Sequence, residues 1–243
     1  MTKWNDLTWP EIAGAVEKTP WVLLSFGAVE EHGPHLPLGT DIFVAEQLST
    51  RIASAADLIE LPVMPFGQVW SLELFDGSLS ISDETIVRLI VELADGLKRV
   101  GVKGLVLFTA HLGNTAALKR ATRNLEEHGG LPALVLSYPG LATISAEVRE
   151  SPESHPSIMH ADELETSVML SLRGDMVRME LAVSEYPSYP GYFDQAPVRW
   201  DTVSKSGVFG DATLATAEKG DRIVDHVVTA SAAIILEWKE ALS

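Results

Sequence analysis

Apolar residues along the chain fall into two rhythms. Continuous runs at Trp21–Val29 (WVLLSFGAV), Gly104–Thr109 (GLVLFT) and Leu131–Tyr138 (LPALVLSY) predict buried strands, and Ile59–Met64 predicts a shorter one. Between them apolar residues return every three or four positions. Ile86, Ile90, Leu93 and Leu97 predict a helix over Asp83–Val100, and Val44, Leu48, Ile52 and Ala56 predict one over Ile42–Ala56. Further helices are predicted at Leu7–Glu17 (Pro10 in its first turn), Thr115–Glu127, Ala161–Leu172, and once or twice within Ala212–Leu242. Residues 140–157 and 186–207, rich in Pro, Ser, Tyr and acidic side chains, read as long loops or short irregular strands. Strands alternating with helices predict an α/β fold of three layers, with a mostly parallel sheet covered on both faces. The 243 residues suit one domain spanning 1–243. In such folds a ligand sits beyond the strand ends.

The charge narrows the partners. Thirty-four acidic and 18 basic residues give a net charge of -16, which repels phosphate backbones and anionic membranes, so neither nucleic acid nor membrane is an expected partner. No cysteine is present, which excludes disulfides, thiolate nucleophiles and cysteine-ligated metals. The N-terminal segment lacks the apolar run of a signal peptide, and no apolar stretch is long enough to span a bilayer. The expectation is a cytoplasmic protein.

Three polar clusters lie next to predicted strand or helix ends. The first holds Glu30, Glu31, His32, His35 and Asp41, directly after the first buried strand. Imidazole and carboxylate together suit borderline divalent ions. In an extended stretch Glu30 and His32 project to one side and Glu31 to the other. Glu31 therefore reads as a supporting or capping group, and Asp41 could bridge two ions. A solvated polar loop is the ordinary alternative, and His35 could simply bond a backbone group. His111, in FTAHLGN, is either an inward ligand or a cap of its strand, with Asn114 placed to cap the next helix. In the third cluster, HADELETS, Glu163 and Glu165 cannot share a helical face, so at most one enters a common pocket. Glu165 precedes small and apolar residues and is the one expected to face the interior. Trp70 sits in a long loop that could cover the strand ends, whereas Trp4, Trp9 and Trp21 read as packing or interface residues. His128 and His226 lie in charged helical segments and read as solvent-facing.

Taken in order, VEEHGPHLPLGTD (29–41), TAHLGN (109–114), HADELETSVML (160–170) and GVFGDATLATAEKG (207–220) resemble the creatininase family over nearly the whole chain. The resemblance implies a three-layer α/β fold, a homo-oligomer, possibly a hexamer, and a centre of two divalent ions drawn from zinc, manganese and iron. It assigns Glu30 and His32 to different ions, Asp41 as the bridge, and His111 to the ion of Glu30. His160 would handle protons, and Glu31 could orient His32 or a water. Creatininase carries a ligand glutamate two residues beyond the histidine of the second motif, where this chain has Gly113. The missing carboxylate is expected at Glu165, with Glu163 second. Two departures touch the Trp70–Ser80 loop: Leu72 stands where many relatives have histidine, and Asp76 where they have proline. No counterpart of creatininase's substrate-clasping tryptophans is evident in 137–159.

The resemblance implies hydrolysis of an amide-type C–N bond in a small polar molecule, such as a cyclic amide or formamide. Its alternatives are hydrolysis of a C–C bond in an oxidised cyclitol and trimming of a short peptide during redox-cofactor maturation. A non-catalytic metal-dependent binding protein is the reading from another class.

Overall fold

The computed structural model describes residues 2–242. Its centre is a five-stranded sheet in the order β1-β3-β2-β4-β5, every neighbouring pair parallel. The strands are β1 (Thr2–Lys3), β2 (Trp21–Phe26), β3 (Ile59–Glu60), β4 (Gly104–Thr109) and β5 (Ala133–Leu136). Helices connect them: α1 (Trp9–Lys18), α2 (Thr40–Ala56), α3 (Asp83–Arg99) and α4 (Thr115–Glu127). Helices α5 (Leu141–Val148), α6 (Glu163–Arg173) and α7 (Ala217–Ala241) follow, with a two-residue antiparallel pair, β6 (Ser184–Glu185) and β7 (Gly210–Asp211), between the last two.

The continuous apolar runs are explained by burial on both faces. Alternate residues of β2 and β4 enter opposite cores. Leu23, Val106 and Phe108 meet α2, α5, α6 and α7 through Val44, Leu48, Ile144, Val168 and Ile223. Val22, Leu24, Leu105 and Leu107 meet α3 and α4 through Ile86, Ile90, Leu118 and Ala121. The three layers and the parallel sheet are thus as the pattern predicts.

The differences are local. The strand predicted over Trp21–Val29 stops at Phe26 as β2, and Val29 instead forms an isolated bridge to Leu79. Residues 140–157 contain the helix α5 rather than only loop or strand. It is eight residues long, and only Ile144 and Val148 mark its buried face, too little for a period to stand out. Trp21 packs in the core against Trp238 at 5.5 Å, and Trp4 packs partly buried against the core between the sheet and α3, whereas Trp9 is 87% exposed. His128 is exposed, whereas His226 is half-buried. No helix among the described residues is long and apolar enough to cross a membrane.

Sheet order sets the place of any site. The chain leaves β2 toward β3 on one side and later returns to β4 on the other, so a crevice opens beyond the ends of β2 and β4. The 30–41 loop and His111 issue from those two ends.

Candidate metal centre

Beyond Thr109 the chain turns sharply. Thr109 Oγ1 accepts from the His111 amide (3.1 Å) and donates to the His111 carbonyl (2.7 Å). Asn114 does not cap α4 with its side chain. Its amide donates to Gly27 O (3.1 Å) and its carbonyl accepts from Gln68 N (2.9 Å), tying the three loops that wall the crevice. This buried cross-link fixes His111 relative to the 30–41 segment. The first turn of α2 supplies Asp41.

Glu30, His32, Asp41, His111 and Glu165 converge and are buried. His111 Nδ1 lies 3.1 Å from Glu30 Oε2 and 3.2 Å from Asp41 Oδ2. His32 Nε2 lies 3.5 Å from Asp41 Oδ1 and 3.6 Å from Glu165 Oε2. Two donor triads able to hold a cation therefore share Asp41: Glu30, Asp41 and His111, and His32, Asp41 and Glu165. A third grouping, Glu30, His32 and His160, overlaps them.

The donors fit a pair of divalent ions on two further counts. Glu30 Oε1, His32 Nε2 and Asp41 Oδ2 are buried without any hydrogen-bond partner, a costly condition unless a cation meets them. Each imidazole is also held by its far nitrogen, as is usual for histidine ligands. His111 Nε2 bonds to Gln68 O at 2.7 Å, and His32 Nδ1 to Glu30 O at 3.1 Å.

Gly113 has a steric reason. A Cβ at this position would run into His111 Nε2 and come within 2.6 Å of Gln68 O, the two atoms of the bond that orients His111. No side chain fits there without breaking it. On the opposite wall Glu165 Oε2 accepts from Ala161 N (2.5 Å), whose residue is held at φ 50°, a left-handed conformation uncommon for alanine. Glu163, the second choice for the extra carboxylate, points elsewhere. It pairs with Lys219 Nζ at 2.6 Å and accepts from the backbone amides of Glu150 and Ser151. Glu163→Gln is expected to destabilise the fold by about 2 kcal/mol, the scale of weakening a buried ion pair, with metal content unchanged. Glu165→Gln is expected to lower metal content instead. Denaturant titration and metal analysis of the two variants check this.

His160 and Glu31 form a second unit beside the triads. His160 Nε2 is 3.1 Å from Glu31 Oε1, and Glu31 Oε2 accepts from Gly33 N at 2.8 Å. Gly207, at φ 77°, lies so close that any Cβ would overlap the Glu31 carboxylate, which accounts for glycine in the last motif. Asp211 caps the short turn after it by accepting from Thr213 N at 2.9 Å; α7 itself is capped by Thr216. His35 is buried with Nε2 2.8 Å from Thr166 Oγ1 and takes no part in the triads.

Charge sorts these imidazoles. Burial lowers the pKa of His32, but Glu165 and Asp41 outweigh it and hold the ring well above 6.5. Burial is likewise overcome at His111 by Glu30 and Asp41. His35 is pushed down to about 4 by burial and by its neighbour His32, so it is neutral. At His160 burial and His32 push down, yet Glu31 and Glu30 leave the pKa raised. Asp41 is held far below the usual carboxylate range, because His32 and His111 outweigh its burial.

In the metal-free chain the raised histidines contribute stability that is full below about pH 6.5, their unfolded value, and fades as pH rises through their native values. Asp41 acts in the other direction: its contribution is full above about pH 4 and fades as pH falls through its depressed native value. Cations replace the imidazole protons, so affinity should rise by up to about tenfold per pH unit for each proton displaced. Melting curves of chelator-treated protein should fall in Tm from pH 6.5 to 9, and zinc should abolish the fall. A flat Tm without metal would contradict this.

A cavity of about 230 Å³ opens over the triads, walled also by Ser71, Met159 and Trp200. Trp200 was not marked by the sequence, because its loop has no period and no motif. Its ring stands 6.0 Å from His160 and 5.0 Å from Phe209. Trp70, whose loop could have covered the strand ends, stacks under Arg199 at 4.2 Å and does not line the cavity. Leu72 is buried in a small core with Phe209 and offers no polar group to the cavity.

A family model described as creatinine amidohydrolase matches residues 5–235. The creatinine amidohydrolase of Pseudomonas putida is 28% identical over 96% of this chain and 95% of its own. A 3-dehydro-scyllo-inosose hydrolase of Thermotoga maritima is 24% identical over 92% and 79%. A mycofactocin precursor peptide peptidase of Mycobacterium tuberculosis is 28% identical over 90% and 86%. Among solved structures, a mutant creatininase of Zn-Zn type superposes with a TM-score of 0.84 at 26% identity, covering 97% of both chains.

Proposed function

The chain belongs to the creatininase family, and on that premise we propose that it is a two-metal hydrolase of an amide-type C–N bond whose reacting end is small and polar. The supporting observation is the pair of donor triads sharing Asp41 beneath one cavity, with His160 at its wall. Glu30, Asp41 and His111 would hold one ion; His32, Asp41 and Glu165 the other. Zinc and manganese fit this nitrogen and oxygen donor set, and iron(II) fits it as well. When bound, the ions supply Lewis acidity toward water and toward a carbonyl oxygen.

The chain's own residues do the rest. His160, hydrogen-bonded to Glu31, which raises its pKa, stands at the cavity wall and gives its proton to the departing nitrogen. Glu31 is a positioning residue, since it acts on the reaction through His160 Nε2. Trp200 closes one side of the cavity and limits water there.

An amide fits two of the three kinds of relative, whose substrates by name are a cyclic amide and a peptide; the inosose contains no nitrogen. The test is product analysis with chelator-treated protein reloaded with zinc, manganese or iron. The substrate panel holds cyclic amides, formamides, short peptides and an oxidised cyclitol. Metal-dependent release of amine or ammonia is expected. Ring opening of the cyclitol alone, or full metal occupancy with no turnover at all, would overturn the proposal.

A further inference from the structure

The cavity over the triads does not end at its own rim. Leu112, Ser157 and Met159 serve as walls both for it and for a second cleft of about 490 Å³ that runs over the outer face of α5. The floor of that cleft is Leu141, Ala142, Ala146, Ile158 and Leu164. Positions 142, 145 and 146 lie on one side of the helix and carry Ala, Ser and Ala, so the face is hollow where longer side chains would fill it. Arg149 and Glu153, opposite in charge, stand at the far end.

Size and polarity differ between the two spaces. At about 230 Å³ the metal cavity is below the usual range for ligand sites, about 300–1,000 Å³, and the two spaces joined fall within it. The metal cavity holds the carboxylates and imidazoles of the triads; the cleft is mixed, with an aliphatic floor bordered by Ser145, Ser157, Arg149 and Glu153. At the junction stands one polar side chain, Ser157, whose hydroxyl is held 2.9 Å from His155 Nδ1. His155 is in turn fixed between Tyr189 and Phe193, at 4.8 and 5.1 Å, and its Nε2 is 3.4 Å from Asp194. A hydroxyl so oriented between the metal cavity and the aliphatic floor of the cleft suits the carbonyl or N–H of a linear substrate passing from one to the other.

We infer that the cleft over α5 is a second substrate subsite, which takes a neutral aliphatic or aromatic arm of an amide whose scissile bond lies over the metal triads. The inference rests on the proposed reaction for the word substrate, while the cleft itself can be tested without turnover. Compact rings fill the first cavity only; extended acyl amides fill both. Ser157 is the specificity-determining contact at the boundary.

The experiment measures by calorimetry the binding of straight-chain hydroxamates, from acetohydroxamate to octanohydroxamate, to zinc-loaded protein. A hydroxamate chelates metal and leaves its alkyl chain to find a place. Each fully buried methylene strengthens binding about fourfold, so six that are half covered predict a gain of about 50-fold. Ala146→Trp and Ala142→Trp, both at exposed positions of α5, should each reduce the gain below about fivefold with zinc content unchanged. Affinity independent of chain length, no hydroxamate binding at all, or a gain that survives both substitutions would overturn the subsite. If amides are not hydrolysed but the gain and its loss are seen, the cleft stands and the proposed reaction falls. If amides are hydrolysed and the gain is missing, the cleft alone falls.

Discussion

Asp41→Ala is expected to release at least one ion per chain and to lower kcat/KM on a hydrolysed amide by about a thousandfold or more. The size follows from where the carboxylate sits. Its two oxygens face two different imidazoles, His32 at 3.5 Å and His111 at 3.2 Å, so one substitution removes a donor from both triads. It also leaves Glu30 and Glu165 across an emptied centre from two buried imidazoles. Asp41→Asn separates charge from shape: it keeps the volume and one oxygen, but binds the cations with one negative charge fewer. It should retain more metal than the alanine variant and still lose most of the activity. Metal analysis beside kinetics decides the point, since near-normal turnover with both ions present would remove Asp41 from the bridging role.

His160→Asn should lower kcat by about 10²- to 10⁴-fold, the range for loss of a positioned acid, while both ions stay bound. His160 is absent from the two triads that share Asp41, and its Nε2 is directed to Glu31. The pH profile carries the distinguishing sign. In the metal-free chain Glu31 and Glu30 raise the pKa of His160, and activity that needs its proton falls as pH passes through the value of the loaded enzyme. The variant should lose this alkaline limb. Glu31→Gln should move the limb to lower pH, because it removes the hydrogen bond and charge that hold the proton, and its kcat loss should be smaller than that of His160→Asn. A limb unchanged in both variants would show that another group supplies the proton.

Much of this architecture was legible before any coordinates, for reasons that differ by element. The helices α3 and α4 carry long, regular apolar stripes on otherwise charged sequence, and Thr115–Glu127 falls at the bounds the pattern predicts. β2 and β4 announce themselves by lacking any polar face, as strands buried between two helical layers must. The short α5 did not, having two core contacts to show in eight residues. In the site, types and spacing marked Glu30, His32, Asp41 and His111 as candidates, and the motif resemblance distributed them between ions. Spacing alone left Glu163 and Glu165 open. What separates them is a tertiary fact, the Lys219 ammonium on α7 that takes up Glu163, 56 residues away. Trp200 was illegible for the same kind of reason: its place over the cavity depends on packing against Phe209 and His160, and nothing local in its loop records that. Asn114 shows the reverse case, a residue with a plausible local role as a helix cap that the fold uses to join three loops.

Two cations sharing the carboxylate of Asp41 are the central requirement of the proposed centre, and anomalous diffraction from crystals of the metal-loaded protein tests this directly. The predicted result is two peaks per chain, one against Glu30 and His111 and one against His32 and Glu165, with Asp41 between them. One peak only, or peaks away from the ends of β2 and β4, would contradict it.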